Sequence, residues 1–271
     1  MRLTTKIILS IIGSIFFITL LFIIGFSFSE RKNYGTFHFN GIFIPQDNQI
    51  GISLAPPYHV IVFEEEETEI QAGYALAFAS NDSELNVCPV RTEEEADKLF
   101  IPEALYDFIS VKTNNDTLTI KIKNDELGKK YEKESGKHIV LSGVHLYLHT
   151  SHVNVINYTG IQTKIRNVET DTIKIYSNRE ILIDSCKADI IDPVSRKWES
   201  ISVTNCTAKV INLDFDRISR WTIKDCNIET QNMTGSGRHN VNIHENEIGK
   251  IKWIPKNEKA ELNIKIQGET K

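Results

Sequence analysis

Basic charge is the first thing this sequence is short of. Its 271 residues carry 31 Lys and Arg against 36 Asp and Glu, a formal net charge of −5. No basic stripe stands out, which argues against a nucleic-acid partner, because such partners need a clustered cationic footprint. Methionine is scarce too, with two residues against thirteen Phe. After residue 138 β-branched side chains dominate, as a strand-rich chain requires. No glycine-rich stretch has phosphate-cradling spacing: GSGRH at 235–239 carries Arg238 and His239 but is not followed by a clear helix. No Ser/His/Asp or Cys/His pairing is placed together by the sequence. Three of the four cysteines recur at a fixed spacing with no second ligand type, which disfavours a thiolate metal site.

What is present is a repeat. Residues 181–260 read as one twenty-residue unit four times, opening ILIDSCKADI at Ile181, ISVTNCTAKV at Ile201, WTIKDCNIET at Trp221 and VNIHENEIGK at Val241. Cys186, Cys206 and Cys226 hold the sixth place of three units, and Asn246 holds it in the fourth. A fixed period of this length marks a solenoid whose units stack on one another. Within each unit Ile181 and Ile183, Ile201 and Val203, Trp221 and Ile223, and Val241 and Ile243 alternate with polar residues, a strand with one face buried. The alternation then skips: Cys186, Ala188 and Ile190 are the next inward candidates. The polar pairs between, such as Asp184-Ser185 and Thr204-Asn205, should turn the chain around a corner. Two or three short parallel strands per turn describe an all-β fold, a right-handed parallel β-helix (β-solenoid) with ~20-residue coils ~4.8 Å apart. In that stack the three cysteines point inward as small apolar groups. Disulfides between adjacent coils would meet poor torsions, because stacked parallel side chains fit the S–S dihedral badly.

Taken in order, the chain divides into residues 1–32, 33–137 and 138–271. Residues 7–26 are uncharged and twenty long, enough for one transmembrane helix, with Arg2 and Lys6 before and Glu30-Arg31-Lys32 after. A cleaved signal peptide would carry a shorter apolar region and an A-x-A-like site; Ser27 and Ser29 keep cleavage open. The expected topology is a single-pass anchor with its N-terminus inside and the C-terminal domain outside the cytoplasm. Residues 33–137 form a β-rich cap region, with strand-like runs at 37–44 and 59–63 and an acidic run at Glu64–Glu67 and Glu69 that reads as solvated. Thr92 and Glu95 fit a capping box, which predicts a short helical insertion near 92–107, over one end of the solenoid. Phe108–Thr113 and Thr117–Lys123 read as a hairpin, and Asp125–Lys137 as a charged, turn-like boundary. From His138 the coils follow. Residues 161–180 match a coil shortened by two, Ile165 to Ile183 and Val168 to Cys186, and ELNIKIQ at 261–267 supplies a C-terminal cap.

Candidate chemistry is sparse. Val144, Leu146 and Leu148 should face in, leaving His145, Tyr147 and His149 outward with His152 beyond. His145 and His149 stand roughly 13 Å apart at strand rise, too far to share an ion. A β-helical carbohydrate enzyme would need carboxylates converging on one outer face. The acids to watch are Asp184, Asp214, Asp216 and Asp225, with Arg217 and Arg220 nearby. A glycan-binding solenoid would instead show an exposed aromatic stripe, with Tyr147, Tyr158, Tyr176 and Trp198 as possible members, Trp198 being equally suited to burial in its turn. The sequence assigns no catalytic, cofactor-binding or metal-ligating residue.

The N-terminal apolar segment, FISVKTNNDTLTIKI at 108–122 and VHLYLHTSHVNVI at 144–156 leading into short coils resemble the bacterial autotransporter-adhesin head family, the GIN-domain proteins. The resemblance covers residues 58–267. The cysteine ladder, the 71–110 insertion and coils poorer in Gly, Ser and Asn depart from the family pattern. The resemblance implies a β-helical domain outside the cytoplasm with no established activity. The expectation is therefore a membrane-anchored, non-enzymatic binding or structural module of the envelope, with a glycan or an envelope protein as partner. A carbohydrate-active lyase or hydrolase is the alternative, and an envelope-stress or signalling partner ranks third.

Overall fold

In the computed structural model, four corner residues set the path of the chain. Asn167, Ser185, Asn205 and Asp225 all adopt left-handed backbone, with φ of 54°, 54°, 53° and 54°. Short polar side chains visit this region at lower cost than other L-residues. Each corner restarts the inward pattern: Ile181 and Ile183 are buried before Ser185, and Cys186 and Ala188 after it. The corner N–H groups donate to the next coil, Asn167 to Asp184 at 3.1 Å, Ser185 to Thr204 at 2.9 Å and Asn205 to Lys224 at 3.0 Å. The polar pairs therefore turn the chain as their sequence predicts.

The structure describes residues 42–45, 47–55, 57–65, 75–78, 83–135, 138–150, 153–158, 161–195, 198–244 and 249–267. All fall within one unit, Gly41–Lys271. The apolar stretch 7–26 lies outside the described residues, and among those described no helix is long and apolar enough to cross a membrane.

Two sheets carry the solenoid. One runs in the order Arg220–Lys224, Ser200–Thr204, Ile181–Asp184, Gln162–Arg166, Glu84–Cys88, His145–His149, Lys98–Pro102, Gln49–Ser53. The other runs Lys250–Pro255, Asn227–Gly235, Thr207–Asp214, Lys187–Ser195, Glu169–Ser177, Val155–Tyr158, Val60–Glu65, Thr117–Ile122, Ile109–Asn114. Coil-to-coil pairing is parallel and in repeat register, Ile181 with Ile201 and Ile201 with Trp221. The shortened coil pairs Ile165 with Ile183, as expected. Ile183, Val203 and Ile223 stack as one buried ladder, and Ile191 and Ile211 as another. Each such side chain contributes about 1.5–3 kcal/mol by leaving water.

Three features correct the sequence reading. Ile190 does not face inward: it is 39% exposed, because the inward alternation slips by one at Asp189 and burial resumes at Ile191 and Pro193. The ladder steps over Asp189, pairing Ala188 with Ala208 and then Ile190 with Val210. The helical content also sits elsewhere than predicted. Thr92–Asp97 is a turn followed by the strand Lys98–Pro102, and only Glu103–Phe108 is helical, as a 3₁₀ segment. The described α-helix is Asn124–Ser135, inside the stretch read as a turn-like boundary. Its two apolar side chains, Leu127 and Tyr131, lie four apart on one face; Leu127 is fully buried and Tyr131 packs on the core. Third, Glu84–Cys88 is wedged between His145–His149 and Gln162–Arg166, which are successive strands of this sheet along the chain, with Val155–Tyr158 of the other sheet between them. The predicted hairpin forms, Ile109–Asn114 against Thr117–Ile122. The tail strand Glu261–Gln267 pairs in parallel with Arg238–His244.

Candidate functional site

The wedged strand organises the most functional-looking surface. Leu85 and Val87 point into the core, so Glu84, Asn86 and Cys88 face outward. In register beside them stand His145, Tyr147 and His149 on one side, and Gln162 and Lys164 on the other. Glu84 pairs with the Lys164 ammonium, accepts the Asn86 amide at 3.0 Å, and lies 3.0 Å from His145 Nδ1. Burial alone would raise the Glu84 carboxyl, but these hydrogen bonds outweigh it and hold the group below the usual carboxylate range. His145 in turn stacks on Tyr147, with ring centroids 6.4 Å apart. The three outward residues of 145–149 are thus half-buried and partnered rather than a bare polar face.

Next to this network lies an open pocket of about 340 Å³. Phe100 and Tyr147 form its apolar walls and Arg91 and Arg166 stand at its rim. Asn86 is 1% exposed; its amide nitrogen is spent on Glu84, and its Oδ1 is buried with no partner. His149 Nδ1 and Glu95 Oε2 are likewise buried and face each other at 3.6 Å, beyond hydrogen-bond range. Burial pushes both the Cys88 thiol and the Tyr147 hydroxyl above their ordinary values. Neither Arg91 nor Arg166 forms an ion pair among the described residues. Buried acceptors without donors cost about 1–3 kcal/mol each unless something satisfies them.

The residues picked out by sequence lie elsewhere. Asp214 and Asp216 do converge, but on one cation: Lys256 Nζ is 2.5 Å from Asp214 and 2.9 Å from Asp216. Burial raises Asp216, yet the Ser236 N–H and the Lys256 ammonium outweigh it and hold its carboxyl at about 2. Asp184 is at a corner, accepting from Thr204 Oγ1 at 2.8 Å and Asn205 Nδ2 at 3.0 Å. Asp225 is the left-handed corner residue two coils on. His239 packs beside Phe215 and Trp253, and Arg238 pairs with Glu261 at 2.8 Å.

The aromatic candidates do not align either. Tyr147 belongs to one sheet and Tyr176 to the other, Trp198 is 63% exposed in a turn, and the side chain of Tyr158 lies outside the described residues. A second groove of about 470 Å³ crosses the coils, rimmed by the exposed pairs Lys187–Glu169 and Lys209–Asp189.

The cysteines are free. Cys186 and Cys206 are buried and Cys226 half-buried. The backbone N–H of Cys186 donates to Cys206 Sγ, and that of Cys206 to Cys226 Sγ, each at 3.4 Å. The thiol of Cys186, together with burial, pushes Cys206 up to about 11, and Cys226 is raised by Cys206 and burial in the same way. Thiols so raised are poor nucleophiles.

No family model and no curated protein matches the chain. Solved structures do. A candidate adhesin from Bacteroides fragilis aligns with a TM-score of 0.50 at 14% identity, over 84% of this chain and 98% of that one. The chain shares its fold. A candidate adhesin from Parabacteroides merdae aligns at TM-score 0.36 and 11% identity, over 84% and 96% of the two chains. A candidate lipid-binding protein from Parabacteroides distasonis aligns at 0.39 and 11%, with the same coverage.

Sequence reasoning missed the pocket because its contributors are scattered. Asn86, Cys88 and Arg91 come from a stretch that reads as irregular, Glu95 reads as a helix cap, and Arg166 belongs to a coil corner. One signal was present: Glu84–Cys88 alternates polar and apolar like the coil strands.

Proposed function

We propose that this protein is a membrane-anchored, adhesin-like β-solenoid of the cell envelope that binds a ligand in the Asn86 pocket without transforming it. The coils are taken as right-handed, following the hand of parallel crossovers. Residues 7–26 serve as the anchor and the solenoid stands outside the cytoplasm. The observation that carries the binding reading is the buried, unpartnered Asn86 Oδ1 in the lining of one open pocket, beside His149 Nδ1 and Glu95 Oε2, which face each other at 3.6 Å without a hydrogen bond. Sites of this kind pair apolar walls with a few convergent polar groups. The acids that converge support the non-enzymatic side: a general acid needs a raised pKa, whereas Asp216 is held at about 2 by Lys256 and Ser236.

The test is retention against cleavage. The full chain in mild detergent is incubated with immobilised neutral and acidic polysaccharides, and both bound protein and released fragments are followed. Retention without new reducing ends or ultraviolet-absorbing unsaturated ends is expected. Fragment release that survives replacement of Lys256 and disappears in His149→Ala would replace this reading with the carbohydrate-active one.

A further inference from the structure

We infer that the pocket takes a carboxylate-bearing sugar residue, an inference that rests on the binding role of this pocket and adds its ligand class. Three independent features point the same way. Arg91 and Arg166 stand at the rim with no carboxylate within ion-pair distance among the described residues, Arg166 acting on its register neighbour Asp184 only at longer range, and a guanidinium matches a carboxylate in bidentate geometry. In the same lining, Asn86 Oδ1 is a buried acceptor lacking a donor, and Glu95 Oε2 has only His149 Nδ1 near it, at 3.6 Å and without a hydrogen bond. A bare anion supplies no donor to them, whereas ring hydroxyls do. The apolar surface comes from Phe100 and Tyr147, a wall suited to the C–H face of a pyranose. An amino acid fits less well, because its ammonium would sit beneath two guanidinium groups with Glu95 the pocket's one carboxylate.

The groups facing one another can now be assigned. Arg166 and Arg91 take the carboxylate, Asn86 Oδ1 and Glu95 accept from hydroxyls, and His149 closes the far side with its ring edge-on to Phe100 at 5.4 Å. No covalent step is involved.

The experiment titrates the full chain in detergent with glucuronate, glucose and inorganic phosphate at constant ionic strength, following heat or the Tyr and His resonances. Glucuronate should bind about tenfold more tightly than glucose, the factor expected for one charge-assisted contact. Arg166→Gln and Arg91→Gln should each remove most of that preference while leaving the melting temperature unchanged, since both side chains are exposed. Equal binding of glucuronate and glucose, unaffected by Arg166→Gln, would overturn the acidic-sugar assignment and keep the pocket as a binding site. Phosphate binding as tightly as glucuronate would overturn it in favour of a plain anion site. Absence of binding by all three, with polysaccharide retention intact, would move the binding function off this pocket altogether.

Discussion

At the scale of single residues, the ladder of stacked positions makes sharp demands. Cys206 is buried between Cys186 and Cys226, with its thiol donating to the Thr204 carbonyl at 3.1 Å. Cys206→Asp puts a carboxylate there with no partner and should cost several kcal/mol, whereas Cys206→Ser keeps a donor and should cost about 1 kcal/mol. Denaturant unfolding of the full chain measures both, and wild-type stability of the Asp variant would refute the inward placement. Asn205 tests the corner. Its φ of 53° suits Gly at least as well, so Asn205→Gly should be nearly neutral, apart from its bond to Asp184. Asn205→Val should lose about 1–2 kcal/mol or more, because a β-branched side chain clashes in that region. Similar stabilities for the Gly and Val variants would mean that the corner is not left-handed in solution.

Among elements, the helix and the acidic turn carry the clearest tests. Leu127 anchors Asn124–Ser135 on the sheet made by His138–Ser142 and Ala75–Phe78. Leu127→Ala should cost about 2–5 kcal/mol, the usual range for a buried leucine. A loss below about 0.5 kcal/mol, typical of a surface site, would restore the solvated turn that composition alone suggests. The Asp214–Asp216 turn is tied down by Lys256, and its acid response has a definite sign. Asp216 has a folded pKa of about 2, below its unfolded value of about 3.9. Its contribution is therefore complete above about pH 4 and is lost as pH falls toward about 2. Asp216→Asn should flatten the stability profile across that window, with the loss largest at neutral pH, where the contribution is complete, and smallest near pH 2. Identical acid profiles for the two proteins would show that Asp216 is not clamped in the folded state.

For the molecule as a whole, the consequence of the wedged strand is topological. Glu84–Cys88 hydrogen-bonds to strands more than fifty residues away on one side and more than seventy on the other. Such pairing forms only when the coils are assembled, so it should open only with them. Amide exchange at Leu85, Asn86 and Val87 should be as slow as at Ile183 and Val203. Exchange at the rate of the Glu93–Asp97 turn would show that the strand is not built into the sheet, and the pocket would lose its floor.

The coil register, the corners, the hairpin and the inward cysteines were legible in the sequence because they follow from periodicity. A ladder repeats the same local decision every twenty residues, and four copies of a weak preference make a strong one. Ile190 escaped that reading because a skipped pair at Asp189 changes the buried parity, and one residue of phase cannot be read from alternation alone. The helix escaped it because its apolar face is only Leu127 and Tyr131, and packing stabilises it where propensity does not. The candidate site was the least legible part. Asn86, Glu95, His149 and Arg166 meet only because a strand from before residue 90 enters the sheet between two later ones. The sequence by itself determined the repeating unit and what each coil buries. Only the tertiary structure decided which distant strand completes the sheet, because non-local hydrogen bonding leaves no periodic trace in the chain that makes it.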